Sequence, residues 1–460
     1  MSDLAAPFTL PPGGWVHIVG IGGAGMSAIA AVLIERGYRV SGSDQYESDV
    51  TRSLRDHGAE VFIGHRAENI GEAQMLVASS AIREDNVELV AARAHGIPVN
   101  KRARFLGWLM QGARGVAVAG AHGKTTTTAM IAQILLGDGR DPRFIVGGAI
   151  TAIGKAAHAG RDPEFVIEAD EYDRMFLGLT PMIEVITNVE HDHPDYYPTF
   201  DDMLEAFRAF VGLLPQEGLL VACGEDPAAR ALARASSRSV LYGFRPALDW
   251  HATDIRPNNA GGSDFIAHRL GESLGLVRLR VPGKHNVLNA LAALATTDAL
   301  GVPFSRAQDA LADFRGVGRR FDVRGEVNGV TIVDDYGHHP TEIKATLSGA
   351  RTRYPGQPIW AVFQPHTYSR TQTLLSQFAT AFVDADHVIV TAIYASRERN
   401  TLGISNATVV AAMNHPDARA IDSLGDVAAY LRQHIQPGDV VITFSAGDAN
   451  KVSEALLRDA

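Results

Sequence analysis

Cysteine is almost missing: Cys223 is the only one in 460 residues, which excludes an intrachain disulfide and any multi-cysteine metal centre. It is expected to serve as a small buried apolar residue, and its isolation suits a reducing cytoplasm. No apolar run reaches the roughly 18 residues of a membrane span. Met1 to Pro12 lacks both the basic start and the long apolar core of an export signal. Positive charge is not in excess, since 42 Lys and Arg face 52 Asp and Glu for a formal net charge of -10. That balance repels a phosphate backbone, so neither nucleic acid nor a membrane is an expected partner. Repeats of fixed period and low-complexity tails are missing too. With 46% hydrophobic and 20% charged residues, disorder, collagen and coiled coil are excluded.

What remains is a soluble multidomain α/β chain whose length predicts roughly three domains. Short apolar runs ending in Gly or Asp alternate with amphipathic stretches, the pattern of strand-helix units with mostly parallel sheets. Expected strands are Val16 to Gly20, Arg39 to Asp44, Val61 to Gly64 and Met75 to Ala78, then Gly115 to Gly120, Glu164 to Ala169, Glu184 to Asn188 and Gly218 to Ala222. The mixed basic and apolar stretch Lys101 to Arg114 reads as a connection, and Arg256 to Gly275 as hairpins and loops. A helix follows over Asn286 to Leu300, then strands at Val330 to Asp335, Ile359 to Phe363, His387 to Thr391 and Val440 to Phe444. The domain boundaries fall at residues 1–114, 115–317 and 318–460.

Two loops join a strand to a helix with phosphate-binding chemistry. Gly20-Ile21-Gly22-Gly23-Ala24-Gly25 fits G-x-G-x-x-G, where bare backbone lets a diphosphate reach a helix N-terminus. Asp44, about 20 residues on, would accept a ribose hydroxyl; a dinucleotide, another diphosphate ligand and tight strand-helix packing all fit this pattern. In Gly120-Ala121-His122-Gly123-Lys124-Thr125-Thr126, successive N–H groups and the Lys124 ammonium can cradle polyphosphate while a threonine hydroxyl ligates magnesium. Val118 takes the place of the usual first glycine, and the bland alternative is a glycine turn capped by threonines.

Parallel strands deliver their C-terminal ends to one crevice, so the acidic clusters Glu168-Ala169-Asp170-Glu171 and Glu190-His191-Asp192-His193 should face the phosphate loop and offer metal ligands. A lone His193 would more often be structural; in this cluster the ligand reading is preferred. Gly283-Lys284-His285-Asn286 precedes Asn289 on an alanine-rich helix, where Asn286 reads most simply as a helix cap. Asp334-Asp335-Tyr336-Gly337-His338-His339-Pro340 and Gln364-Pro365-His366-Thr367-Tyr368-Ser369-Arg370 end two later strands. Together they look like an anion site; either alone would be ordinary turn chemistry.

Taken together, these motifs resemble the Mur ligase superfamily along nearly the whole chain, most specifically at His17 to Ser27, Asp334 to Glu342 and Phe363 to Thr371. The resemblance implies a Rossmann-like N-terminal domain binding a UDP sugar, a central P-loop-type ATPase domain with a mostly parallel sheet, and a Rossmann-like C-terminal ligase domain. It implies UDP rather than NAD at the first loop. The implied reaction joins L-alanine to the lactyl carboxylate of UDP-N-acetylmuramate with ATP and Mg2+, in cytoplasmic peptidoglycan precursor synthesis, by a monomer or homodimer.

By motif, the resemblance assigns ATP contacts to Gly120, Ala121, His122, Gly123, Lys124, Thr125, Thr126, His285, Asn286, Asn289, Arg320 and Asp335. Metal would sit on Thr125, Glu168 and His193. UDP-sugar and alanine contacts would come from Gly20, Gly22, Gly23, Ala24, Gly25, Asp44, Ser79, Ser80, Tyr336, His338 and Arg370. The catalytic set is Lys124, Glu168, His193, His338 and Arg370, with His193, His338 and His339 as alternatives for the base that takes the amine proton.

Three positions depart from the family pattern. Ala121 stands where many members have threonine. Thr367 stands where some have arginine, leaving Arg370 to grip the alanine carboxylate. Arg208 occupies the stretch where other Mur ligases use a carbamylated lysine, so no carbamate is expected. A tripeptide-attaching Mur ligase is a rival, but its insertion after Asp173 is missing, since Met175-Phe176-Leu177 follows directly. An NAD-dependent oxidoreductase would leave Gly123-Lys124-Thr125 without a role. A binding protein without turnover conflicts with intact Lys124, Glu168 and His193.

Overall fold

The computed structural model describes residues 10–396 and 398–458; the reading of the chain start over residues 1–9 lies outside them. The chain divides into two compact units, one of Met1–Val189, Leu204–Leu241 and Ala292–Ala307, the other of Glu190–Met203, Tyr242–Leu291 and Gln308–Ala460.

The first unit holds a parallel sheet of β1 (Trp15–Val19), β2 (Arg39–Asp44), β3 (Glu60–Ile63), β4 (Met75–Ala78) and β5 (Val99–Lys101) in the order β3-β2-β1-β4-β5. Val16, Ile18 and Val19 of β1 are fully buried, each worth about 1.5–3 kcal/mol over exposure. A second sheet follows, with β6 (Arg114–Ala119), β7 (Arg143–Ile150), β8 (Lys155–His158), β9 (Glu164–Glu168), β10 (Ile183–Ile186) and β11 (Leu219–Cys223) in the order β11-β10-β6-β9-β7-β8. Only the edge strand β8 runs antiparallel to its neighbour. The helix Ala24–Glu35 ends against this sheet, where Glu35 accepts from Lys155 Nζ at 2.8 Å and from the Ala159 N–H at 2.8 Å.

The chain passes through β12 (Ser239–Gly243) to the second unit's antiparallel ribbon of β13 (Trp250–Pro257), β14 (Ser263–Arg269) and β15 (Glu272–Arg278). The last sheet has β16 (Asp322–Val327), β17 (Val330–Asp335), β18 (Ile359–Gln364), β19 (His387–Val390), β20 (Ala418–Ala420) and β21 (Val440–Ser445) in the order β16-β17-β21-β18-β19-β20. It is parallel apart from β16. Apolar layers cover both faces, one around Val333, Phe363 and Phe444 and the other around Ile332, Trp360 and Val441.

Strands expected to end on glycine stop one residue earlier. Gly20, Gly64 and Gly120 have φ of +81°, +86° and +137°, a conformation that leaves the ladder. The expected connection Lys101 to Arg114 contains the helix Arg102–Met110. Cys223 is buried, as expected. Among the described residues no helix is long and apolar enough to cross a membrane.

Glu184 of β10 is fully buried and neither carboxyl oxygen has a hydrogen-bond partner; burial pushes its pKa well above the usual carboxylate range. The folded pKa exceeds the unfolded one, so its contribution to stability is fully present below the unfolded value and lost as pH rises through the folded value. Glu184→Met is therefore expected to stabilise the protein by about 1–3 kcal/mol at pH 8 and by less at pH 5. Urea unfolding at both pH values checks this, and an equal gain at both would contradict it.

Candidate active site

The first glycine loop leaves β1 with Gly20 N and Ile21 N donating to Ser43 O of β2 at 2.8 and 3.0 Å. Gly23 starts the helix Ala24–Glu35 without a side-chain cap, so first-turn N–H groups stay available to an anion. Asp44 accepts from Gly22 N at 2.9 Å, and a Cβ on Gly22 would press on that carboxylate. Half-buried Ser79 and exposed Ser80 follow β4 on the other side of β1. The structure thus gathers Gly20, Gly22, Gly23, Ala24, Gly25, Asp44, Ser79 and Ser80 at one end of the first sheet.

In the same unit, β6 runs into the phosphate loop. Ala121 N donates to Asn188 O at 3.2 Å and His122 N to Asn188 Oδ1 at 2.9 Å, which pins the loop to the end of β10. Gly123, at φ +83°, precedes the helix Lys124–Gly137 and also lacks a side-chain cap. The Lys124 ammonium donates to Gly120 O at 2.5 Å and lies 2.9 Å from Glu171 Oε2. Burial alone would lower its pKa, but Glu171, Glu168 and Asp170 outweigh that and raise it, so the lysine is firmly charged at neutral pH. Thr125 Oγ1 and Gly147 N both donate to Glu168 Oε2, each at 2.9 Å. A Cβ on Gly147 would collide with that carboxylate. A threonine hydroxyl and a carboxylate converging beside a phosphate loop are hard oxygen donors that fit magnesium.

The rest of the expected set lies in the second unit. Asp192, buried, accepts from Arg370 Nε at 2.8 Å. Arg370 also donates to His366 O at 2.9 Å and meets His193 Nδ1 at 3.2 Å. Burial would raise the Asp192 pKa, but Arg370 above all holds it well below the usual range. His193 sits at φ +54°, a strained conformation for a non-glycine residue that the Arg370 and Asp192 contacts sustain. The expected metal set is therefore divided, with Thr125 and Glu168 in one unit and His193 in the other.

Arg319 and Arg320 each lie 5.0 Å from the Tyr336 ring centre, and Arg320 pairs with Glu342 at 3.3 Å. His338 is pushed down to about 3 by burial and by Arg370, which makes it a weak base. His339 accepts from Thr341 N at 3.3 Å as the cap of the helix Pro340–Arg353, a structural task. Asp335 accepts from Phe321 N at 2.9 Å and Gly337 N at 2.7 Å, and burial lifts its pKa to about 6. Asn286 does not cap its helix. The helix begins at Lys284, and Asn286 donates from inside it to Pro282 O at 2.7 Å while accepting from Asn289 at 3.1 Å. Burial lowers neighbouring His285 to about 4. Thr367 Oγ1 donates to Glu398 at 2.5 Å. Arg208 is exposed and pairs with Glu205 at 3.3 Å.

Sequence reasoning gave Glu171 no role beyond its place in an acidic cluster, and gave Gly147 none. Glu171 stands within a quoted acidic motif, but its pairing with Lys124 across 47 positions is visible only in the fold.

The description of the Mur ligase family catalytic domain matches residues 15–114, that of the Mur ligase middle domain residues 118–297, and that of the Mur ligase glutamate ligase domain residues 319–447. The chain belongs to the Mur ligase family. It is a three-domain α/β member of a family of ATP-dependent ligases. It is 46% identical over 438 residues, 94% of this chain and 95% of its relative, to a UDP-N-acetylmuramate–L-alanine ligase of Pelotomaculum thermopropionicum. Among solved structures it is similar to a UDP-N-acetylmuramate–alanine ligase of Thermotoga maritima, with TM-score 0.83, 29% identity and coverage of 96% of this chain and 98% of that one. A murein peptide ligase of Psychrobacter arcticus shares the fold at TM-score 0.73 and 24% identity, covering 97% of this chain and 98% of that one. The oxidoreductase alternative is set aside by the family, and the tripeptide alternative is not favoured by these likenesses.

Proposed function

We propose that this Mur ligase joins L-alanine to the lactyl carboxylate of UDP-N-acetylmuramate, converting ATP to ADP and phosphate, in cytoplasmic peptidoglycan precursor synthesis. The reading is carried by its 46% identity to an L-alanine-adding ligase along 94% of the chain. The phosphate loop supplies the chemistry that such a ligase needs.

A carboxylate resists amine attack because oxide would have to leave. Its oxygen therefore first takes the γ-phosphoryl group of ATP, ADP departs, and the resulting acyl phosphate offers phosphate as the leaving group. The alanine amine then attacks the carbonyl carbon, forms the amide bond and gives up a proton to a base. Lys124, kept charged, neutralises oxygens of the transferring group, and the loop N–H groups orient the polyphosphate. Thr125 and Glu168 would hold magnesium, which when bound supplies further charge neutralisation. The first glycine loop binds the uridine diphosphate. With His338 weakened and His339 engaged as a cap, His193 is the favoured base.

Phosphate release is expected only when ATP, magnesium, UDP-N-acetylmuramate and L-alanine are all supplied. Release with tripeptide but not L-alanine would sink the proposal. Glu168→Gln is expected to raise the half-saturating magnesium concentration by about tenfold or more while leaving the fold intact. A magnesium titration of initial rates checks that, and an unchanged titration would remove Glu168 from the metal site.

A further inference from the structure

Arg102 opens the helix Arg102–Met110, where the positive end of the helix opposes a cation. Its guanidinium also lies against a second helix start. A Cβ on Gly25, second residue of the helix Ala24–Glu35, would collide with Arg102 Nη1. One guanidinium and two positive helix ends thus crowd the first glycine loop, within one unit.

The balancing groups are few. Nη2 donates to Asp170 Oδ2 at 2.9 Å, and Nε points to the Met175 sulfur at 3.1 Å, a weak acceptor. Nη1, the nitrogen facing Gly25, has no acceptor among the described residues, while the side chain is only 19% exposed. A donor left without a protein acceptor and aimed at a bare helix start suits an anion. Gly25 is what allows the guanidinium to approach so closely.

We propose that Arg102 is the side-chain cation for the diphosphate of the nucleotide substrate. Its Nη1 donates to a phosphate oxygen at the first glycine loop. Its other edge is fixed by Asp170, on the same strand end as Glu168 and Glu171. Arg102 thereby touches the substrate itself and ties diphosphate binding to the acidic segment facing Lys124. This rests on the reading of the first loop as a nucleoside-diphosphate site.

The test is calorimetric titration of the full-length protein with UDP as probe and ADP as control. Arg102→Met is expected to raise the UDP Kd on the order of 10- to 100-fold, the loss of one charge-assisted bond, and to leave the ADP Kd within about threefold. Arg102→Lys, which keeps the charge without the fork, should recover part of the loss. Gly25→Ala, which pushes the guanidinium away, should weaken UDP binding in the same direction. An unchanged UDP Kd in Arg102→Met overturns the inference. Equal loss of UDP and ADP together with a lowered melting temperature also overturns it, by making Arg102 a structural strut. If the unmodified protein fails to bind UDP, the reading of the first loop falls, and this inference with it.

Discussion

Lys124→Met is expected to lower the rate of ATP-dependent phosphate release by about a thousandfold or more, the range seen when the cation on a transferring phosphoryl group is removed. The ammonium is already positioned before nucleotide binds, held by Gly120 O and by the buried Glu171 carboxylate. It is therefore preorganised and charged. Removing it also withdraws the cation facing Glu171, so some stability is lost with activity. The pair Lys124→Met and Glu171→Gln separates the two effects, because the double variant should regain stability and none of the rate. Single-turnover phosphate release and urea unfolding on the same samples decide it. A variant retaining a tenth of the original rate would remove Lys124 from the phosphoryl-transfer step.

The sequence made the backbone of this site legible and left its side-chain pairings hidden. Both glycine loops could be read because each is a local signal, a strand passing through glycines into a helix. The glycines with positive φ in those loops are a direct consequence. The acidic clusters at the ends of β9 and after β10 followed from the rule that parallel strands open at their C-terminal ends. Less legible was everything fixed by partners distant in the chain. The β7 and β8 hairpin was missed because the edge strand β8 has only four residues and carries little periodicity, and the run containing Gly147 and Gly148 in β7 reads as a loop. Asn286 looked like a cap because asparagine before an alanine-rich run usually is one, yet the helix starts two residues sooner. His339 was read as one of three candidate bases, and its part in capping a helix was not foreseen. Gly147 matters only because Glu168 folds against it from 21 residues away.

Arg370→Met should be the most damaging change to the second unit. Arg370 and Asp192 are 4% and 3% exposed, with Nε to Oδ1 at 2.8 Å. Breaking a buried ion pair by deleting one partner costs about 3–5 kcal/mol, because the remaining charge stays buried without compensation. The damage extends to the left-handed His193, since Arg370 touches His193 Nδ1 and His366 as well as Asp192. Arg370→Lys keeps the charge but cannot reach three partners with a planar fork, so an intermediate loss is expected. Adding Asp192→Asn to Arg370→Met removes the stranded carboxylate and should restore much of the stability. It should restore no ligase activity, because the His193 loop stays unanchored. Urea midpoints for the two single variants and the double variant measure the coupling directly. A midpoint unaltered by Arg370→Met would mean that this buried pair contributes nothing to the fold, and that Arg370 is held in place for substrate alone.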